Sequence, residues 1–312
     1  MKQIEQWLGS VKMLTAFPFR LFRRRKWLSV LLIFLLGLTL SGWTVESNAV
    51  RIPILGFHDI IDAQNPAERP PHRLTFETDY TKQHLATLLE SLVQENYWFL
   101  TAQDLYLYFI EKSKPIPPEH LGQKPIMLTF DDGYKGVHSN GLPILENLES
   151  IYGKKVKFVL FINPRYLGVD NGGDFLPHTS CDDLREGYRK GYYDIQSHGF
   201  NHKNLTKLQG KDLDFELAEA KLALRKCLSK LDRNKTVAAH IAYPYGSSNK
   251  QVEKVLPKYY LTGFLYDDNF LQVNWLRNRY QISRVPVNKE TSVKKLLTLA
   301  RKASTLRKKK WW

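Results

Sequence analysis

Cysteine is scarce. The 312 residues hold only Cys181 and Cys227, and no CxxC pair occurs. That argues against a structural zinc ribbon or a thioredoxin-like redox motif. The two thiols read as free, ordinary cysteines, although an oxidising compartment would let them join if the fold brought them together. Acids are outnumbered, 31 Asp and Glu against 46 Lys and Arg, for a net charge of +15. Residues 1–50 contribute +5 of this, and the remaining +10 is spread out except for the run Arg307-Lys308-Lys309-Lys310. A basic balance suits nucleic acid, anionic lipid, an anionic polymer or simple solubility. Zinc-finger spacing and an aromatic RNA-binding signature are both missing, so nucleic acid is not an expected partner. There is no Gly-rich phosphate loop and no spaced DxD pair, which disfavours phosphoryl transfer. Internal repeats and low-complexity tracts are absent. With 43% hydrophobic and 25% charged residues, the body of the chain is ordinary globular protein.

Long apolar runs are also missing, with one exception. Residues 27–45 read WLSVLLIFLLGLTLSGWTV without a charge. That length spans a hydrocarbon core of roughly 30 Å as a helix. Arg23-Arg24-Arg25-Lys26 precedes it, and the positive-inside rule then places residues 1–26 in the cytoplasm and everything after residue 46 outside. The expected organisation is a cytoplasmic basic segment 1–26, a transmembrane signal-anchor 27–45 and an exported domain 46–312 with a basic C-terminal helix. The rival reading is a cleaved signal peptide, for which Ser47-Asn48-Ala49 offers small residues. Both export the domain, and the anchor makes the membrane a partner.

Beyond residue 50, short apolar runs alternate with helical patterns. Strands are predicted at 52–57, 97–100, 126–130, 156–162, 192–197, 237–243, 260–265 and 280–285. Helices are predicted at 78–95, 105–110, 142–148, 211–231, after Ser247-Ser248 and at 292–306. Thr101 with Asp104 resembles a helix cap. Strand–helix alternation of this kind predicts an α/β fold with a parallel sheet. About seven units suggest a distorted (β/α) barrel, complete or incomplete, preceded by the transmembrane helix; a doubly wound open sheet is the alternative.

Three motifs fall at predicted strand ends. Thr129-Phe130-Asp131-Asp132-Gly133-Tyr134 closes the strand at 126–130. Adjacent buried acids are costly unless a positive partner such as a metal ion is near, and Gly133 permits a sharp turn. Alone, Asp-Gly is also a common surface turn. Ser197-His198-Gly199-Phe200-Asn201-His202 follows the strand at 192–197. Its two His, four apart, share one face of a helical turn and suit a single metal ion, though such pairs also arise by chance. Ala242-Tyr243-Pro244-Tyr245-Gly246 follows the strand at 237–243. Pro and Gly there fix a loop whose N–H groups can point at a ligand. Barrel active sites sit at strand C-termini, so the coincidence of all three outweighs any one of them.

These residues carry a resemblance to the polysaccharide deacetylases, the NodB homology domain of carbohydrate esterase family four. It extends over most of residues 51–290. Leu55-Gly56-Phe57-His58-Asp59-Ile60 resembles the branch acting on poly-N-acetylglucosamine. The resemblance implies Asp131 as catalytic base and Asp132, His198 and His202 as ligands of one divalent metal ion, with Zn²⁺ the expected identity. The Tyr245 N–H would complete the oxyanion hole. The implied reaction is removal of N-acetyl groups from an extracytoplasmic polysaccharide that resembles poly-N-acetylglucosamine, chitin or peptidoglycan.

The sequence departs from the family pattern in three places. Gly199 stands where a Ser or Thr is usual. Ala242 stands where an Arg is usual, and Arg284 is the candidate replacement that would orient Asp131. The C-terminal LxH is missing, since no His follows His240. His58 is then the first candidate proton donor. His240, inside a predicted strand, reads as a core histidine. The competing functions are a membrane-tethered carbohydrate-binding protein with weakened turnover and an O-acetyl esterase.

Overall fold

The structure, a computed structural model, describes residues 50–170 and 176–306. The segments 1–26 and 27–45 and the basic tail after residue 306 lie outside the described residues. Among the described residues, no helix is long and apolar enough to cross a membrane.

The frame is a parallel sheet. Its strands are β1 (Ile54–Phe57), β2 (Tyr97–Phe99), β3 (Lys124–Phe130), β4 (Phe158–Ile162), β5 (Tyr193–Ser197), β6 (Ile241–Ala242), β7 (Gly263–Phe264) and β8 (Val285–Pro286). The hydrogen-bonded order is β7-β6-β5-β4-β3-β1-β8, with β2 pairing β3 beside this path. All these pairings are parallel. A single parallel bridge, Phe264 with Ile282, links β7 to the segment that leads into β8. The result is the parallel-stranded, incompletely closed α/β barrel expected from the alternation of elements.

Both faces of the central strands are buried, which is why they read as continuous apolar runs rather than alternating ones. Ile54, Met127, Val159, Phe161, Ala242 and Phe264 pack inside the curve of the sheet. Leu55, Phe57, Ile126, Leu128, Phe130 and Leu160 face the helices. Helix α1 (Lys82–Gln94) is capped by Thr81, whose side chain accepts from His84 N, and buries Leu85, Leu88, Leu89, Leu92 and Val93. Truncating one of these leucines to Ala costs about 2–5 kcal/mol. The cap at Thr101 is a full capping box with Asp104, opening α2 (Ala102–Asp104), which continues as a π-helix over Leu105–Ile110. Helices α3 (Leu142–Tyr152), α4 (Cys181–Arg189), α5 (Gly210–Leu228), α6 (Lys250–Val255) and α7 (Val293–Ala300) complete the set.

Four expectations are corrected. The strand predicted at 237–243 shrinks to Ile241–Ala242, because the Asp232 carboxylate accepts from Thr236 N and Val237 N and holds a turn there. The final helix ends at Ala300, and Leu306 instead pairs with backbone groups of Gly122 and Gln123. Helix α4 was not predicted at all; its signal is the capping box of Ser180 and Asp183. Finally, Cys181 and Cys227 form a disulfide rather than two free thiols, with Cα atoms 5.7 Å apart. Helices α4 and α5 pack side by side and bring them together, which sequence spacing alone could not show.

Candidate active site

Strand β3 delivers the two acids. Along it, Met127 and Thr129 face the inside of the sheet, and Asp131 N donates to Phe57 O, so the next inward position is Asp131 at the mouth. The turn is then tight: Asp132 has φ 69 and Gly133 φ 85. A Cβ on Gly133 would lie 2.9 Å from Ile162 Cδ1, so only glycine fits. Asp tolerates the left-handed region better than most residues, and the turn swings the Asp132 carboxylate to the neighbouring side of the mouth.

Asp131 is 3% exposed and faces Arg284, which is fully buried. Arg284 Nη1 donates to Asp131 Oδ1 at 2.6 Å and Nη2 donates to Oδ2 at 2.8 Å. The same guanidinium donates through Nη1 to Thr129 Oγ1 and through Nε to Leu265 O, and lies between the rings of Phe161 and Tyr266. Burial alone would raise the Asp131 pKa, but the Arg284 charge outweighs it and holds the carboxyl well below the usual range. Ala242 leaves the position of the missing Arg empty of charge, and its carbonyl accepts from the His198 ring instead, at 2.9 Å.

That hydrogen bond fixes His198. Nδ1 carries the proton toward Ala242 O, and Nε2 is turned to Asp132 Oδ1 at 3.4 Å. His202 Nε2 lies 3.3 Å from the same oxygen. Burial pushes His198 down to about 3, against the opposing pull of Asp131, so its imidazole is neutral. One oxygen of Asp132 and the two ring nitrogens all lie within 4.8 Å of one another. Two imidazoles and one carboxylate, gathered this closely, fit a divalent cation such as Zn²⁺.

The two His reach this position by a route the spacing did not foresee. Residues 198–202 are an irregular loop, not a helical turn. Gly199 at φ 73 and His202 at φ 56 bend the chain so that both rings converge. The glycine in place of Ser or Thr therefore has a backbone reason. Two residues missed in the sequence hold this loop. Asn163 Nδ2 donates to His198 O and Gly199 O. Glu216, 1% exposed, accepts from Phe200 N, Asn201 N and Asn201 Nδ2. A carboxylate on the apolar stripe of α5, among Leu213, Leu217 and Ala220, was its visible signal.

His58 closes another side, with Nε2 4.0 Å from Asp132 Oδ2 and its ring edge-on to Tyr266. Tyr245 is 66% exposed at φ 61, and its ring lies 4.8 Å from that of His202. His240 is elsewhere: fully buried, with Nδ1 2.7 Å from Thr262 Oγ1 and Nε2 3.2 Å from Gln103 Oε1. It is a satisfied core histidine.

Residues 119–264, the span holding the acid pair, His198, His202 and the Tyr245 turn, match the polysaccharide deacetylase family. The chain carries a polysaccharide deacetylase domain. Among curated relatives, the poly-beta-1,6-N-acetyl-D-glucosamine N-deacetylase of Staphylococcus aureus is 28% identical over 194 residues, 61% of this chain and 61% of that protein. The Bacillus subtilis protein YxkH is 24% identical over 218 residues, 70% of this chain and 65% of that protein. The chain thus spans less than two thirds of each relative. A solved polysaccharide deacetylase from Bacillus cereus superposes with a TM-score of 0.65 at 20% identity, over 81% of this chain and 69% of that one, which establishes the deacetylase fold. Within this deacetylase domain, Arg284 lies beyond the matched span yet supplies the partner of Asp131.

Proposed function

We propose that this deacetylase domain removes N-acetyl groups from an extracytoplasmic polysaccharide of the poly-N-acetylglucosamine type, using one divalent metal ion. The observation that carries the reading is the convergence at one barrel mouth of an ionised, Arg-anchored Asp131 with the ligand set Asp132, His198 and His202. The S. aureus relative's name supports the substrate class.

When bound, the metal ion, Zn²⁺ in this reading, supplies Lewis acidity at the mouth. Asp132, His198 and His202 would hold it. Asp131, kept charged and oriented by Arg284, receives the proton of the attacking water. The N–H of Tyr245 donates to the oxygen on which negative charge grows. His58, whose Nε2 lies 4.0 Å from Asp132 Oδ2, gives a proton to the departing amine as the C–N bond breaks, and the proton held by Asp131 then returns to His58. Acetate and a free amino sugar result.

Export of the domain is supported by the apolar run at 27–45, by the basic residues before it, and by the Cys181–Cys227 disulfide, a bond that persists in oxidising compartments. The deciding experiment measures acetate and free amine released from N-acetylglucosamine oligomers, chitin fragments and peptidoglycan, before and after chelation. Release from none of them, with metal restored, overturns the reading.

A further inference from the structure

The loop between the two imidazole ligands is gripped on both backbone polarities. Its carbonyls, His198 O and Gly199 O, accept from the single amide nitrogen of Asn163 at the end of β4. Its amides, Phe200 N and Asn201 N, both donate to Glu216 Oε2, at 2.9 and 2.8 Å. The other carboxylate oxygen takes Asn201 Nδ2 at 2.7 Å. The chain here has no regular hydrogen-bond ladder to define it, and it contains a left-handed Gly199. Beside the backbone bonds from His198 N to Ile162 O and from Arg165 N to Phe200 O, its course is set by these two side chains. A Cβ on Gly199 would sit 3.5 Å from Glu216 Oε2, so the carboxylate fills the concave side of the bend.

Glu216 sits on a helix that is otherwise packed by leucine and alanine, and burying a carboxylate there is unfavourable unless its charge is fully met. Three N–H donors meet it. An apolar residue in its place would pack α5 equally well but leave the amides of Phe200 and Asn201 without this acceptor. Resting on the reading that Asp132, His198 and His202 bind a divalent cation, we infer that Glu216 is a positioning residue that presets the metal affinity of the site. It does so by fixing the 198–202 loop, so that His202 Nε2 arrives on the same Asp132 oxygen as His198 Nε2. It touches neither metal nor substrate. Its effect is geometric rather than electrostatic, because the carboxylate is neutralised locally by the amides it holds.

Two substitutions separate geometry from charge. Glu216→Gln keeps the length and one acceptor oxygen for both backbone amides, and an Asn201 side-chain flip restores the third contact, while the charge is lost. Glu216→Asp keeps the charge but withdraws it by one methylene. Zn²⁺ affinity of the full-length protein is read by competition with a chromogenic chelator, and the coordination geometry by the visible absorption of bound Co²⁺. The expected pattern is near-wild-type affinity and spectrum for Glu216→Gln, and a 10–100-fold weaker site with an altered Co²⁺ spectrum for Glu216→Asp. The reverse pattern, or equal affinity in all three proteins, overturns the inference. If Glu216→Asp does not fold, Asn201→Ala removes one contact and is expected to weaken the site in the same direction; unchanged affinity there also overturns it. A wild-type protein that binds no better than Asp132→Asn sinks the metal reading itself, a result distinct from failure of the Glu216 role.

Discussion

Arg284 and Asp131 stand 153 positions apart in the chain and meet as a two-pronged pair, 2.6 and 2.8 Å long, with the guanidinium out of reach of solvent. A planar guanidinium matches both carboxylate oxygens at once, which a lysine cannot do. The pair joins β3 to the segment entering β8 across the barrel mouth, so one contact both ties these segments together and fixes the orientation of the Asp131 carboxylate.

Removing one partner strands the other. Arg284→Met should therefore lower stability by about 3–5 kcal/mol, because Asp131 becomes a buried charge without a counter-ion. Adding Asp131→Asn to that variant should recover part of the loss. Urea unfolding of the two single variants and the double variant gives the coupling energy, and simple additivity would show that the contact carries none.

The neighbouring acids should fail in different ways. Asp131→Asn keeps shape and metal but cannot accept a proton, so turnover should fall by a factor of about 10²–10⁴ with bound metal unchanged. Asp132→Asn should lose metal affinity first, and excess Zn²⁺ should restore part of the activity. Metal content by elemental analysis, beside acetate release, separates the two. Rescue of Asp131→Asn by excess metal would make both acids ligands.

Much of this site was legible in the sequence. The TFDDG run, the HxxxH pair and the Pro-Tyr-Gly turn each follow an apolar strand, and parallel sheets place strand C-termini at one mouth. Arg284 was legible only as a substitute for an absence, the missing Arg at Ala242. What could not be read was side-chain traffic between distant segments. The HxxxH spacing suggested a helical turn, whereas Glu216 and Asn163 enforce an irregular loop with two left-handed residues. A buried acid on an apolar helix stripe signals a role but not which amides it meets. The disulfide was missed for the same reason, since pairing depends on how α4 packs on α5.

That disulfide links residues 46 positions apart. Cys181→Ser with Cys227→Ser should cost about 2–4 kcal/mol, the usual range for such a crosslink. Metal binding should be intact, because the bond lies on the helix layer and neither Cys touches the site residues. Thermal unfolding of the oxidised protein, the reduced protein and the double variant tests this. Equal stability of all three would mean that the crosslink does not constrain the unfolded chain.

His240 offers a separable pH signature, away from the mouth. Gln103 Oε1 can only accept, so Nε2 carries the hydrogen and Nδ1 accepts from the Thr262 hydroxyl, a neutral ring with both nitrogens satisfied. Burial, with a smaller push from Lys221, drives its pKa down to about 3 from an ordinary 6.5. As pH falls below 6.5 the unfolded chain takes up a proton that the folded one refuses, so the stability His240 contributes is present above that pH and lost on the way to 3. Asp59 and Asp194 work in the opposite sense: burial raises each to about 6, and the folded state gains protons, and stability, as pH falls toward 3.8. The net slope mixes these terms, so the informative quantity is the difference between wild type and His240→Asn. With metal chelated, the wild type should lose up to about 1.4 kcal/mol more per pH unit than His240→Asn between pH 6 and 4. Urea midpoints and m-values at pH 6.5, 5.5 and 4.5 measure it. Parallel curves would mean that His240 is protonated within the fold, and that Gln103 and Thr262 rearrange to accommodate its charge.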